Sequence, residues 1–352
     1  MKNSDKPVIA WLLTGCFLIF LMVVIGGITR LTLSGLSIVE WDLLMGTLPP
    51  VTSQDWQELF QKYQQSPQYQ LVNIHFGLEE FKSIFWWEYI HRLLGRMIGL
   101  VFFFPFIYFL IKKKLSLDLI GKLLVIFVLG GLQGFLGWYM VKSGLVKDPH
   151  ISHYRLAAHL VTAFVSFGFT FWVALGLIYP QSNKSQILHG QGIGSVKKLT
   201  YVLSGVVFLQ IIYGAFVAGL KAGMVYNTFP KMGSEWMAEG VTAMQPFWKN
   251  LLESIAGVQF VHRYLAYIVV IIVGIIWFKA RNIGLSDTQK GGINFLGIAV
   301  IIQFLLGVFT LLYAVPVALG VIHQVGAFFL FAAVIYLLHQ LRQSARSLHQ
   351  IT

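Results

Sequence analysis

Glu88-Tyr-Ile-His91-Arg92 and Gln259-Phe-Val-His262-Arg263 echo each other across the chain, each where a long apolar run begins. A second pair, Ala158-His159-Leu-Val-Thr-Ala-Phe164 and Ile322-His323-Gln-Val-Gly-Ala-Phe328, repeats a histidine at nearly the same offset. Polar landmarks rather than leucines carry both matches, so the chain reads as a tandem duplication. Gln133-Gly-Phe-Leu-Gly137 with Gln303-Phe-Leu-Leu-Gly307, and Gly26-Gly-Ile-Thr-Arg-Leu31 with Gly214-Ala-Phe-Val-Ala-Gly-Leu220, keep the same order.

Of 352 residues, 57% are hydrophobic and 11% charged, with mean hydropathy +0.71. Soluble chains carry about twice that charged fraction. Crossing a hydrocarbon layer of about 30 Å takes about 20 apolar residues. Eight such runs begin near Val8, Glu88, Leu119, Tyr154, Leu199, Val258, Gly291 and Pro316. The expected fold is all-α and integral to the membrane: eight transmembrane helices in two tandem four-helix bundles. The first half spans 1–180, a polar cytoplasmic link 181–198, and the second half 199–352. An even number of helices per repeat leaves both halves in the same orientation, so their pseudo-two-fold axis is expected along the membrane normal.

The first run follows Lys2 and Lys6, is long and lacks a small-residue cleavage site, so it reads as an uncleaved helix. Leu13-Thr-Gly-Cys16 resembles a lipoprotein box but lies inside that run. Cys16 is the sole cysteine, which excludes an intrachain disulfide. The net charge of +12 is a topology signal and not a nucleic-acid footprint. With the amino terminus in the cytoplasm, the inner segments hold 14 basic residues against 3 acids, whereas the outer loops hold 9 against 10. By the positive-inside rule both termini are expected in the cytoplasm. The long outer loop, residues 30–85, is rich in Trp, Tyr, Gln and Pro, and such composition favours an ordered cap. The stretch from Lys221 to Glu253 has similar character.

The four repeated histidines fall on even-numbered helices, which run from outside to inside, within about two turns of the outer end. An intramembrane ionisable residue is costly without a partner and marks function by default. A single histidine there could equally snorkel to the interface, but four at matched positions point to ligation. Copper and zinc remain open, yet no cysteine or carboxylate cluster accompanies the histidines. Two bis-histidine heme sites are preferred, His91 with His159 and His262 with His323. Arg92, Arg96 and Arg263 are placed to pair with propionates or with lipid phosphate. The halves differ where Glu88 precedes His91 by three residues and Gln259 precedes His262 by three. Positions i and i+3 share a helix face. Glu88 should therefore project toward whatever His91 holds, as base or charge stabiliser, while an interfacial pair with Arg92 is its plainer reading. His75, His150, His153, His189, His339 and His349 fall in loops or tails and receive no chemistry.

Gly26-Gly-Ile-Thr-Arg-Leu-Thr-Leu-Ser-Gly-Leu-Ser-Ile-Val-Glu-Trp41, Phe85-Trp-Trp-Glu-Tyr-Ile-His-Arg-Leu-Leu-Gly-Arg96, Gly137-Trp-Tyr-Met-Val-Lys-Ser-Gly144, Tyr154-Arg-Leu-Ala-Ala-His159, Tyr226-Asn-Thr-Phe-Pro-Lys-Met232 and Val258-Gln-Phe-Val-His-Arg263 together resemble the heme A synthase family, in its proteobacterial and mitochondrial branch. The resemblance covers nearly the whole chain. It implies oxidation of the C8 methyl of heme O to a formyl through two hydroxylations, giving heme A for cytochrome oxidase. By motif, His91 and His159 would hold the substrate heme O, Glu88 would assist catalysis, and His262 and His323 would ligate a resident heme b. It further implies a multi-pass protein of the bacterial inner membrane with its heme sites toward the outer face. Heme O synthase would be the natural supplier, with an unidentified electron-transfer partner and no nucleic acid; a homo-oligomer is left open. Some bacterial members carry a cysteine pair in the first outer loop, and this chain has none there. Two other classes remain: a diheme electron-transfer protein, which would use the same four histidines without needing Glu88, and a heme carrier or exporter, which would bind heme reversibly and need no fixed second heme.

Overall fold

The computed structural model of the chain describes residues 5–40, 48–145, 149–180 and 192–342. Among these, eight helices are long and apolar enough to cross a membrane: α1 (Lys6–Leu31), α4 (Leu78–Ile111), α5 (Leu117–Gly144), α6 (His153–Ile178), α7 (Ile193–Gly219), α9 (Ile255–Ala280), α10 (Asp287–Leu312) and α11 (Val317–Arg342). Three shorter helices are α2 (Ser53–Gln64), α3 (Pro67–Leu71) and α8 (Trp248–Glu253). In lipid every backbone group must be satisfied within the segment, which leaves helices as the way for these apolar runs to cross.

The helix ends are written in the sequence. Ser116, Ser254 and Ser286 accept the N–H of the residue three positions on, and Gln289 returns a bond to the Ser286 N–H. At the other end, Leu33, Lys113 and Ala314 take left-handed conformations with φ of 56°, 52° and 54°. The next N–H then closes on a carbonyl five residues back: Ser34 to Thr29, Lys114 to Phe109 and Val315 to Thr310.

One boundary departs from expectation. Helix α4 begins at Leu78 and not near Glu88, so it runs for 34 residues. Its first turns carry Glu79, Glu80 and Lys82 and are amphipathic, which is why the hydropathy run starts later. They pack on α2 and α3, around fully buried Tyr63 and Phe81 with Ile84, Phe85 and Tyr89. The Tyr63 and Phe81 rings stack at 5.0 Å, Trp56 meets Phe85 edge-on at 5.0 Å, and Asn73 donates to the Tyr63 hydroxyl at 2.9 Å. A reciprocal Thr52–Asp55 cap opens α2, and the backbone N–H groups of Thr52 and Val51 hold the Asp55 carboxyl below its usual range. The described part of the long loop is therefore ordered as its aromatic content implied. Residues 181–191 of the expected link lie outside the described residues, and α7 already begins at Ile193.

Packing divides the chain into two compact units, Phe17–Ser166 and the combination of Met1–Cys16 with Phe167–Thr352. In the latter, α7 packs on α9, α9 on α10, α10 on α11 and α11 on α7, closing a four-helix ring. In the former, Met22 of α1 lies against Gly95 of α4, Phe102 of α4 meets Phe127 of α5 at 4.9 Å, and Gly137 of α5 faces His159 of α6. Phe81→Ala is expected to cost about 3–5 kcal/mol of local stability and to raise protease cleavage within 48–77 severalfold while membrane insertion is retained. Unchanged cleavage would show that the aromatic cluster does not hold the cap.

Candidate functional site

Each repeated histidine lies against a glycine of the long helix that precedes it. A Cβ on Gly26 would stand 3.0 Å from Cε1 of His91, and one on Gly137 3.3 Å from that of His159. Gly214 and Gly307 stand in the same relation to His262 and His323, at 3.3 and 3.0 Å. The glycine seats let each ring approach a neighbouring backbone that a larger side chain would push away. His91 and His159 belong to one compact unit, and His262 and His323 to the other. His159, His262 and His323 all stand within about two turns of the starts of their helices, at His153, Ile255 and Val317. His91 stands deeper in α4 than expected, more than three turns from Leu78, because of the helix's amphipathic extension.

The Nδ1 atoms of His91, His159 and His262 are buried with no hydrogen-bond partner. Such atoms are uncommon in folded proteins and mark strain, function or a missing ligand. Among the described residues no cluster of three or more His, Cys, Asp or Glu could hold a bare ion. Paired imidazoles without acidic or thiolate companions suit a macrocycle that brings four nitrogens of its own to the iron. The residues present fit two bis-histidine hemes.

Glu88 is 3% exposed, and both its oxygens are engaged. Oε2 accepts from the Ser37 hydroxyl at 2.7 Å and the Ile38 N–H at 2.9 Å, while Oε1 accepts from Arg92 Nε at 3.0 Å and Nη2 at 2.6 Å. Arg92 also donates to the carbonyls of Glu40 and Ile38, at 3.0 and 2.9 Å. The i, i+4 pair thus fastens the strap that follows α1 onto α4, and Leu36 of that strap packs on Gly144. In the other unit the matching pair fastens the segment after α7. Gln259 donates to the carbonyls of Ala222 and Val225, and Arg263 to those of Tyr226, Thr228 and Lys231. One strap offers an N–H and a hydroxyl and takes an acceptor; the other offers carbonyls and takes a donor. The Glu-to-Gln difference follows the polarity of the strap.

This clamp was not legible in the sequence, since Ser37 and Ile38 stand 51 and 50 residues from Glu88. Gln210 was missed as well, although its four-residue spacing to Gly214 matches Gln133 to Gly137 and Gln303 to Gly307. His339 was placed among loops and tails; it lies in the last turn of α11, 6% exposed, edge-on to Trp172 at 5.0 Å. Its helix carries on past the end of the apolar run. His189 and His349 lie outside the described residues. Gly26→Val and Gly307→Val should each displace the facing imidazole and lower heme content of the purified protein about tenfold or more. Gly99→Ala, whose added Cβ meets nothing within 4 Å, should leave it unchanged. Equal heme content in all three variants would contradict the glycine seats.

The model of the cytochrome oxidase assembly protein family matches residues 9–335. A heme A synthase of Flavobacterium johnsoniae is 52% identical over 345 residues, covering 97% of this chain and 99% of that protein. A heme A synthase of Nitrosospira multiformis is 49% identical, covering 96% of this chain and 94% of its own. One of Arabidopsis thaliana is 42% identical over 98% of this chain and 77% of its own. With a family match over nearly its full length, the chain belongs to the cytochrome oxidase assembly protein family.

Proposed function

We propose that this chain is a heme A synthase, oxidising the C8 methyl of heme O to a formyl by two successive hydroxylations. The observation that carries the reading is the paired, glycine-seated histidines of each unit, one pair accompanied by a carboxylate. Together with relatives of that name at about half identity over the full chain, it favours the enzyme over its rivals. Each hydroxylation replaces a C–H by C–OH, taking its oxygen from water and releasing two electrons and two protons. The resulting hydrate loses water to leave the formyl, and the electrons pass to an acceptor outside the chain.

His91 and His159 hold the substrate heme O, and His262 and His323 hold a resident heme b. That heme supplies one-electron transfer when bound. Glu88, three residues before His91, contributes a fixed negative charge. Its four hydrogen bonds leave it suited to stabilising positive charge that develops on the oxidised methyl, more than to carrying a proton away. Arg263 keeps a buried Nε without a partner and offers it to a propionate; in the first half Arg92 is engaged by Glu88 and the strap carbonyls, which leaves Arg96 as the candidate for that part. The protein sits in the bacterial inner membrane with both termini cytoplasmic and its heme sites toward the outer face, supplied by a heme O synthase. The halves 1–180 and 199–352 correspond to substrate and electron-transfer sites.

Co-expression with a heme O synthase in cells lacking heme A should yield heme A on extraction. Glu88→Gln should leave both hemes bound while heme O or its alcohol accumulates. Normal heme A from that variant would sink the role of Glu88. Heme-loaded wild-type protein that yields only heme B and heme O would favour a diheme electron-transfer protein or a carrier. For topology, a single cysteine at Ser286 should react with an impermeant thiol reagent only after the cells are opened, and one at Ser234 in intact spheroplasts. The reverse pattern would invert the orientation.

A further inference from the structure

The glycine seats carry a second pattern. Four residues before Gly26, Gly137, Gly214 and Gly307, on the same face of each helix, stand Met22, Gln133, Gln210 and Gln303. Gln133 Nε2 donates to the backbone carbonyl of His159 at 3.0 Å. Gln210 Nε2 donates to that of His262 at 3.0 Å and lies 3.5 Å from its ring Nε2. Gln303 Nε2 lies 3.2 Å from Nδ1 of His323. The side-chain oxygens of Gln210 and Gln303 are buried with no hydrogen-bond partner.

The Gln303 pair decides what these amides are for. If its N–H₂ faces Nδ1, the imidazole proton sits on Nε2, which then has no lone pair for a metal, and the amide oxygen stays stranded. Turned about its last bond, the amide presents Oε1 to an Nδ1–H, and Nε2 is free to ligate. The turned state pairs the stranded oxygen and fixes the ligating tautomer with one rotation. An acceptor on the far nitrogen also raises the basicity of a metal-bound imidazole.

We propose that Gln133, Gln210 and Gln303 are positioning residues for three of the four heme-binding histidines, and that Gln303 sets the tautomer and donor strength of His323. Gln133 and Gln210 act on the backbone, pinning the turn that carries the ligand. Met22 holds the equivalent place opposite His91 and lies against Gly95. A thioether has no donor, so the His91 ring is held by its glycine seat without an amide. The three amide-supported ligands are fixed; the ligand beside Glu88 is the one free to adjust to an incoming substrate. This inference rests on the heme reading and deepens it.

The test uses the purified full-length protein with its bound heme b, read by equilibrium redox titration, low-spin ferric electron paramagnetic resonance and heme affinity. Gln303→Leu removes the acceptor, so the midpoint potential should rise and heme affinity fall about 10- to 100-fold. Gln303→Glu strengthens the acceptor and should move the potential in the opposite direction with heme retained. A space-filling role for Gln303 would not give opposite signs. Heme bound in both variants with wild-type potential, spectrum and affinity overturns this inference alone. If Gln303→Leu does not fold, Gln303→Glu decides by the same criterion. Wild-type protein that holds no heme overturns the inference and the reading beneath it together.

Discussion

The structure depends on the approach of an imidazole to a helix backbone at a glycine. Gly26, Gly137, Gly214 and Gly307 each admit a histidine ring to within 3.0 to 3.3 Å of where a side chain would begin. That closeness sets the approach of α1 to α4, α5 to α6, α7 to α9 and α10 to α11 at the level of the histidines. A bilayer offers no hydrophobic force between helices, so close packing at small residues and interhelical polar bonds do the joining. At Gly137, Gly214 and Gly307 both meet at the same point: the glycine gives the approach, and the glutamine one turn away gives the polar bond to the helix that carries the histidine.

The second constraint is the pair of clamps at Glu88 and Gln259. Glu88 with Arg92 and Gln259 with Arg263 each bind a strap that leaves the preceding helix, and each satisfies backbone groups of that strap. The two straps differ in polarity, and the clamp residues differ to match. In the first unit this places a carboxylate, with its charge held by Arg92, one turn from His91. Glu88 serves the fold through its four hydrogen bonds, and the proposed function assigns its charge to the chemistry.

Most of the architecture was legible because lipid imposes length and apolarity on each span. The eight helices, the repeated histidines and the preserved order of Gln133–Gly137 and Gln303–Gly307 all lie in local sequence. What escaped was either amphipathic or long-range. The first turns of α4 carry Glu79, Glu80 and Lys82 and pack under a cap, so the hydropathy run marks the helix start too late. Helices α2 and α3 have no apolar run to announce them. Ser37 and Ile38 meet Glu88 only because a left-handed Leu33 turns the strap back over the bundle, and no spacing rule anticipates that contact. His339 looked like a tail residue because α11 continues beyond its most apolar stretch.

The central claim is that two separate histidine pairs hold two hemes of different use. Its most direct test is the heme content of purified single variants, by absorbance and by chromatography of the extracted hemes. His262→Ala and His323→Ala should each lose heme b, whereas His91→Ala and His159→Ala should retain it and lose heme O. Retention of heme b in both His262→Ala and His323→Ala would place the resident cofactor elsewhere and contradict the account.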